Sequence, residues 1–233
     1  MTKTVEAPRG AFDLAATERL VVSSGAGPVL VEQFRNLAAK LERLQRERVL
    51  KSLVVTSAAP GDGKSHVAIN LALTLSDSYR RRVLLIDADL RRPTLHQLFK
   101  VPGHPGLADA LRTQGDDVPE GVRINERLTL LPAGGPDPNP IGDLSSGRMP
   151  RLVASAVTSY DWVIVDAPPA GGLADARIIA ETVDAALIVV RAGGTHFPEL
   201  ESCAQALGPE RILGVVLNAV DPDEIRRKDY YNS

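Results

Sequence analysis

The run Ala58-Ala59-Pro60-Gly61-Asp62-Gly63-Lys64-Ser65 holds the residues best suited to chemistry in this chain. It satisfies the pattern of Gly or Ala, four residues, then Gly-Lys-Ser/Thr, and it lies between an aliphatic strand and a helical stretch. Gly61 and Gly63 allow the backbone to curl so that successive N–H groups meet phosphate oxygens, and the helix opening near Ser65 adds its positive end. Lys64 can reach the β- and γ-phosphates, and the Ser65 hydroxyl is placed for a magnesium ion, so the ligands expected are ATP and Mg2+. A ligand-free turn is the bland alternative, but it gives Lys64 and Ser65 no packing reason to occur together.

Two further segments end in carboxylates. Val83-Leu-Leu-Ile runs into Asp87 and Asp89, whose two-residue spacing directs both to one side. Trp162-Val-Ile-Val runs into Asp166. Carboxylates at strand ends suit magnesium, and one could take a proton from an attacking hydroxyl. The competing reading is that they cap following helices or pair with Arg91 and Arg92.

These groups need a frame that brings strand ends to one edge. Leu53–Thr56, Val83–Ile86, Trp162–Val165 and Ala185–Val190 are short and apolar on both faces, as strands covered on both sides must be. Ile212–Leu217, interrupted by Gly214, and Leu128–Leu131 read as further strands. Helical stretches lie between most of them, at Ser65–Leu75, Pro150–Thr158, Ala174–Thr182 and Pro198–Leu207. The alternation predicts an α/β fold, a doubly wound, mostly parallel sheet flanked by helices, with ligands at the carboxyl ends of the strands.

Ahead of the sheet, Val31, Phe34, Leu37, Leu41 and Leu44 form the stripe of an amphipathic helix over Val29–Val49. Three units are expected: a flexible arm over 1–28, a P-loop domain over 29–220 and a polar tail over 221–233 ending Asp-Tyr-Tyr-Asn-Ser. Between 101 and 147 glycine and proline predominate, predicting surface connections with one short helix near Leu107–Leu111.

Composition narrows the class. The 233 residues carry 27 basic and 29 acidic side chains for a net charge of −2, mixed along the chain, so no basic field for nucleic acid is expected. One cysteine, Cys203, excludes an internal disulfide and a cysteine-cluster metal site. No apolar run reaches the roughly 18 to 20 residues that span a bilayer, and the N-terminus has no signal-peptide core. A cytoplasmic protein is expected, with any membrane association supplied by a partner.

The stretches Thr56–Ser65, Leu84–Pro93, Pro138-Asn-Pro140 and Tyr160–Pro169 together resemble the cytoplasmic kinase domain of the bacterial tyrosine kinases that control capsule and exopolysaccharide synthesis. The resemblance runs from about Glu32 to Val220. It implies an ATP-dependent protein-tyrosine autokinase in which Ala59, Pro60, Gly61, Asp62, Gly63, Lys64, Ser65 and His66 form Walker A. Asp87 and Asp89 then belong to Walker A′ and Asp166 to Walker B. Asp87 is the implied base, Ser65, Asp89 and Asp166 the implied magnesium residues, and Asn218 an adenine contact or simply a turn-forming residue. Tyr230 and Tyr231 are the implied phosphoacceptors. Glu32 and Arg35 belong to an oligomerisation motif, Glu-x-x-Arg-x-x-Arg, whose last arginine is Ala38 here, and His66 stands where the family usually has Thr. Implied partners are a membrane-embedded activator or polysaccharide co-polymerase, further copies of the chain in an oligomer, and tyrosine-bearing substrates. Two alternatives stand beside this reading: a partition- or septum-type ATPase switch, and a nucleotide-dependent export scaffold without transferase activity.

Overall fold

Aliphatic strands with no polar face can persist only when both faces are covered, and that requirement organises the molecule. The computed structural model describes residues 5–6, 20–22, 26–113 and 120–221. Among these, eight strands form one sheet: β1 (Val5–Glu6), β2 (Ser52–Ser57), β3 (Val83–Asp87), β4 (Val122–Arg123), β5 (Leu128–Leu131), β6 (Trp162–Asp166), β7 (Ala185–Arg191) and β8 (Ile212–Asn218). Their order is β1-β4-β5-β3-β6-β2-β7-β8, and every pair is parallel except β4 with β5. Every residue of β2, β3 and β6 is buried, which is the covered, parallel sheet that the sequence predicts.

Eight helices cover it: α1 (Pro28–Glu47), α2 (Lys64–Asp77), α3 (Leu95–Leu98), α4 (Leu107–Arg112), α5 (Ile141–Leu144), α6 (Arg148–Ser159), α7 (Ala174–Ala180) and α8 (Phe197–Leu207). Side chains alternating along each strand feed two cores. Val83, Leu85 and Ile164 pack with α1, α2 and Leu95 of α3, whereas Leu84, Ile86 and Val165 pack with α4 through α8. A pleat of period two thus fixes which helices lie on which side.

Helix α1 is amphipathic and buries Phe34, Ala38 and Leu41, as its stripe requires. Its one buried charge, Glu42, accepts hydrogen bonds from Arg81 Nε (3.0 Å to Oε1) and Trp162 Nε1 (2.9 Å) and ion-pairs with the Arg81 guanidinium. Burial works to raise the Glu42 pKa, but the bonds from Arg81 and Trp162 and the Arg81 charge outweigh it and lower it overall. Parts of the expected arm touch the domain: Leu20 is buried, Val21 N–H donates to Asn70 Oδ1 (2.8 Å), and β1 pairs with β4. Gly214 marks a register shift in the edge strand β8, where it aligns with Leu187 while Ile212 aligns with Ala186.

Candidate active site

The segment linking β2 to α2 is held by its own side chains and by the far edge of the sheet. Gly61 (φ 90°) and Gly63 (φ 95°) occupy left-handed conformations, and a Cβ on Gly63 would lie 2.1 Å from Asn218 Nδ2. Only glycine meets both demands. Asn218, at the end of β8, uses that closeness to donate from Nδ2 to the Asp62 carbonyl (2.8 Å). Asp62 is itself buried, accepting from Ala59 N–H (2.9 Å) and the Thr195 hydroxyl (2.8 Å). Within this loop, the N–H groups of Gly61, Gly63, Lys64 and Ser65 have no acceptor among the described residues. A row of unused donors at a helix start is an anion cradle.

Strands β3 and β6 are neighbours in register, so Asp87 stands opposite Asp166 with both carboxylates fully buried. Lys64, at the start of α2, reaches this pair from the loop. Its Nζ lies 2.9 Å from Asp89 Oδ2 and 3.7 Å from Asp166 Oδ1, and it donates to Ser65 Oγ (3.2 Å). Burial opposes the Lys64 charge, yet the carboxylates of Asp166, Asp89 and Asp87 raise its pKa overall.

The two carboxylates differ in their surroundings. Asp87 Oδ2 accepts from the N–H groups of Thr94 (3.1 Å) and Leu95 (2.9 Å), so it anchors the start of α3. Burial, then the Asp166 charge, push its pKa up to about 7 against those bonds and Lys64. For Asp166 burial dominates over Lys64 and Ser65, and the pKa rises to about 6. Among the described residues no donor gives either Asp166 oxygen a hydrogen bond within normal limits, an exceptional state for a buried carboxylate. Hard oxygen donors beside a hydroxyl and a phosphate cradle are the ligand chemistry of magnesium. Among the described residues no group of three or more His, Cys, Asp or Glu is placed to hold a metal ion.

Of the residues singled out in sequence, Ala59 through His66, Asp87, Asp89, Asp166 and Asn218 meet at this edge. The capping alternative is realised in part, because Asp87 binds the start of α3 and Asp89 Oδ1 accepts from Arg92 N–H (3.1 Å). Pairing with the Arg91 side chain is not, since Arg91 Nε bonds buried Asp175 (2.6 Å) and its Nη1 bonds the Pro138 carbonyl (2.7 Å). Glu32 and Arg35 lie on α1 and pair with each other at 3.9 Å. Tyr230 and Tyr231 lie outside the described residues. The sequence pattern singles out neither Thr195 nor Asp175. Thr195 sits 133 residues from the Asp62 it touches, and no spacing rule links them.

A doubly wound sheet carrying a glycine loop, a buried lysine and strand-end carboxylates at one edge defines a P-loop nucleotide-binding protein. The family model for the CobQ/CobB/MinD/ParA nucleotide binding domain matches residues 53–232. Tyrosine-protein kinase YwqD of Bacillus subtilis strain 168 is 35% identical over 205 residues, which cover 87% of this chain and 86% of YwqD. Succinoglycan biosynthesis transport protein ExoP of Rhizobium meliloti strain 1021 is 32% identical over 216 residues, 89% of this chain and 27% of ExoP. The solved kinase domain of the Escherichia coli tyrosine kinase ETK superposes with a TM-score of 0.73 at 32% identity, over 82% of this chain and 76% of that one. The chain belongs to the bacterial tyrosine-protein kinases within the CobQ/CobB/MinD/ParA nucleotide-binding family.

Proposed function

We infer that this chain is an ATP-dependent protein-tyrosine kinase of capsule or exopolysaccharide synthesis. The observation that carries the reading is the row of unused loop N–H donors beside Lys64, facing the buried carboxylate of Asp166 that Lys64 approaches to 3.7 Å. The donors and Lys64 suit the phosphates of ATP. Ser65, Asp89 and Asp166 would hold Mg2+, which when bound neutralises charge on the β- and γ-phosphates. A base with its pKa raised to about 7 suits proton transfer near neutrality, and Asp87 has that property. In the proposed step a tyrosine hydroxyl gives its proton to Asp87 as its oxygen bonds the γ-phosphorus. The bond from that phosphorus to the bridging oxygen breaks, and ADP leaves.

Tyr230 and Tyr231 are the proposed acceptors, presented by one copy to the site of another. Among the described residues no helix is long and apolar enough to cross a membrane. We assign the chain to the cytoplasm, recruited to the membrane by a membrane-embedded activator.

The test is incubation with Mg2+ and γ-labelled ATP followed by mass spectrometry. Label on tyrosine, concentrated at Tyr230 and Tyr231, is expected. Release of label as phosphate alone would make the chain an ATPase switch, and binding of ATP with neither outcome would make it a scaffold.

A further inference from the structure

Asp62 and Thr195 are joined in a way that the phosphate-loop pattern does not require, since that pattern leaves the residue before its second glycine unspecified. Asp62 is 4% exposed, and both of its carboxylate oxygens are used. Oδ2 takes the Ala59 N–H and thereby closes the loop on itself (2.9 Å). Oδ1 takes the Thr195 hydroxyl (2.8 Å), which in turn accepts the Arg191 N–H (2.8 Å). Thr195 lies between β7 and α8, on the opposite side of β2 from the catalytic carboxylates of β3 and β6. An unpaired oxygen on a buried carboxylate carries the full desolvation penalty, which favours turning it toward water.

We propose that Thr195 is a positioning residue for nucleotide binding, acting through Asp62 on the curvature of the phosphate loop. With Oδ1 paired, Asp62 keeps its Ala59 bond, and the donors of Gly61, Gly63, Lys64 and Ser65 stay directed as a set. Without the hydroxyl, the carboxylate turns toward water, Ala59 N–H is released, and residues 59–62 lose their fixed shape. Ordering the loop then falls to the incoming phosphates, which weakens binding and leaves the chemistry at Asp87 untouched once ATP is bound.

The proposal rests on the reading of residues 58–65 as a phosphate loop, and its test separates the two. ATP affinity and steady-state kinetics are measured for wild type, Thr195→Val, Thr195→Ser, Asp62→Ala and the Asp62→Ala/Thr195→Val double variant. Thr195→Val is expected to raise KM for ATP roughly tenfold with little change in kcat, and Thr195→Ser to restore it. In the double variant KM should match Asp62→Ala alone, because the two residues act as one unit. Wild-type KM in Thr195→Val, a fall confined to kcat, or losses that multiply in the double variant would each overturn the proposal. If Thr195→Val melts early, Thr195→Ala measured below its melting temperature carries the same expectation. Failure of wild-type protein itself to bind ATP would instead overturn the phosphate-loop reading.

Discussion

At the residue scale, the site is built from charges that the fold holds at a disadvantage until a ligand arrives. Lys64 carries the positive charge that faces Asp166 and Asp89, so Lys64→Met should abolish nucleotide-dependent activity, a loss of at least about 100-fold. Retained turnover in a phosphorylation assay would remove Lys64 from the site. Asp87→Asn should lower kcat by roughly 100-fold or more while ATP affinity changes less than about threefold, because a base acts on the hydroxyl and not on the nucleotide. Matched losses, read by kinetics beside a binding titration, would make Asp87 a metal-site residue.

The same residues make a prediction about pH. The folded pKa values of Asp166 and Asp87 lie above the usual value of 3.8, at about 6 and about 7. The unfolded chain therefore releases these protons first as pH rises, and stability of the nucleotide-free, metal-free protein falls between about pH 4 and pH 7. Asp166→Asn removes the Asp166 share of that loss. It should melt close to wild type at pH 4 but be more stable by about 2 kcal/mol at pH 8, roughly 4–8 °C in melting temperature. A variant less stable than wild type at pH 8 would show that Lys64 already compensates Asp166 in full.

At the element scale, legibility followed periodicity. The strands β2, β3, β6 and β7 and the helices α2, α6 and α8 are long enough for apolar pattern to mark them, and their observed ends differ from those expected by at most two residues. The two-residue strand β4 and the four-residue helices α3 and α5 carry too few positions to show a period. Helix α3 is anchored by Asp87, which accepts the N–H groups of Thr94, just before it, and Leu95, its first residue, a tertiary cause that no local window contains. The site was legible wherever chemistry sits at a strand end, as at Asp87 and Asp166. Thr195 and Asp175 were not, since their meaning comes from partners on other elements.

Helix α1 depends on a contact of that kind. Arg81→Ala would leave Glu42 buried with Trp162 Nε1 as its one remaining hydrogen-bond donor among the described residues. The expected loss is about 2–3 kcal/mol, because an uncompensated buried charge is worse than no charge. Glu42→Gln/Arg81→Ala should recover about half of it, since glutamine still accepts from the indole without the charge. Urea denaturation of the two variants checks the order, and an equal loss in both would mean that Arg81 acts by packing alone.

At the scale of the whole molecule, the catalytic edge and the surface of α1 are built on different chemistry, so assembly and folding can be separated. Glu32 and Arg35 side chains are 60% and 54% exposed, and their mutual ion pair at 3.9 Å spans one helical turn in water. Such a pair adds about 0–1 kcal/mol to the fold, so its charges are nearly free to be used elsewhere. On the other side the helix is fixed by Phe34, Ala38, Leu41 and Glu42 and by the Tyr79 hydroxyl, which donates to the Arg35 carbonyl (3.1 Å). A rigidly held helix with exposed, complementary charges can meet a second copy without reordering, which keeps the entropic penalty of association low. An interface resting on these two exposed charges should be weak and sensitive to salt. Glu32→Ala/Arg35→Ala is therefore expected to shift sedimentation toward monomer while its melting temperature stays within about 2 °C of wild type. Raising ionic strength from about 0.05 M to about 0.5 M should weaken association of the wild type in the same direction, since screening shortens the reach of surface charge several-fold. Identical sedimentation of wild type and variant at low salt would place the contact between copies on another face, and a large drop in melting temperature would assign Glu32 and Arg35 to the fold.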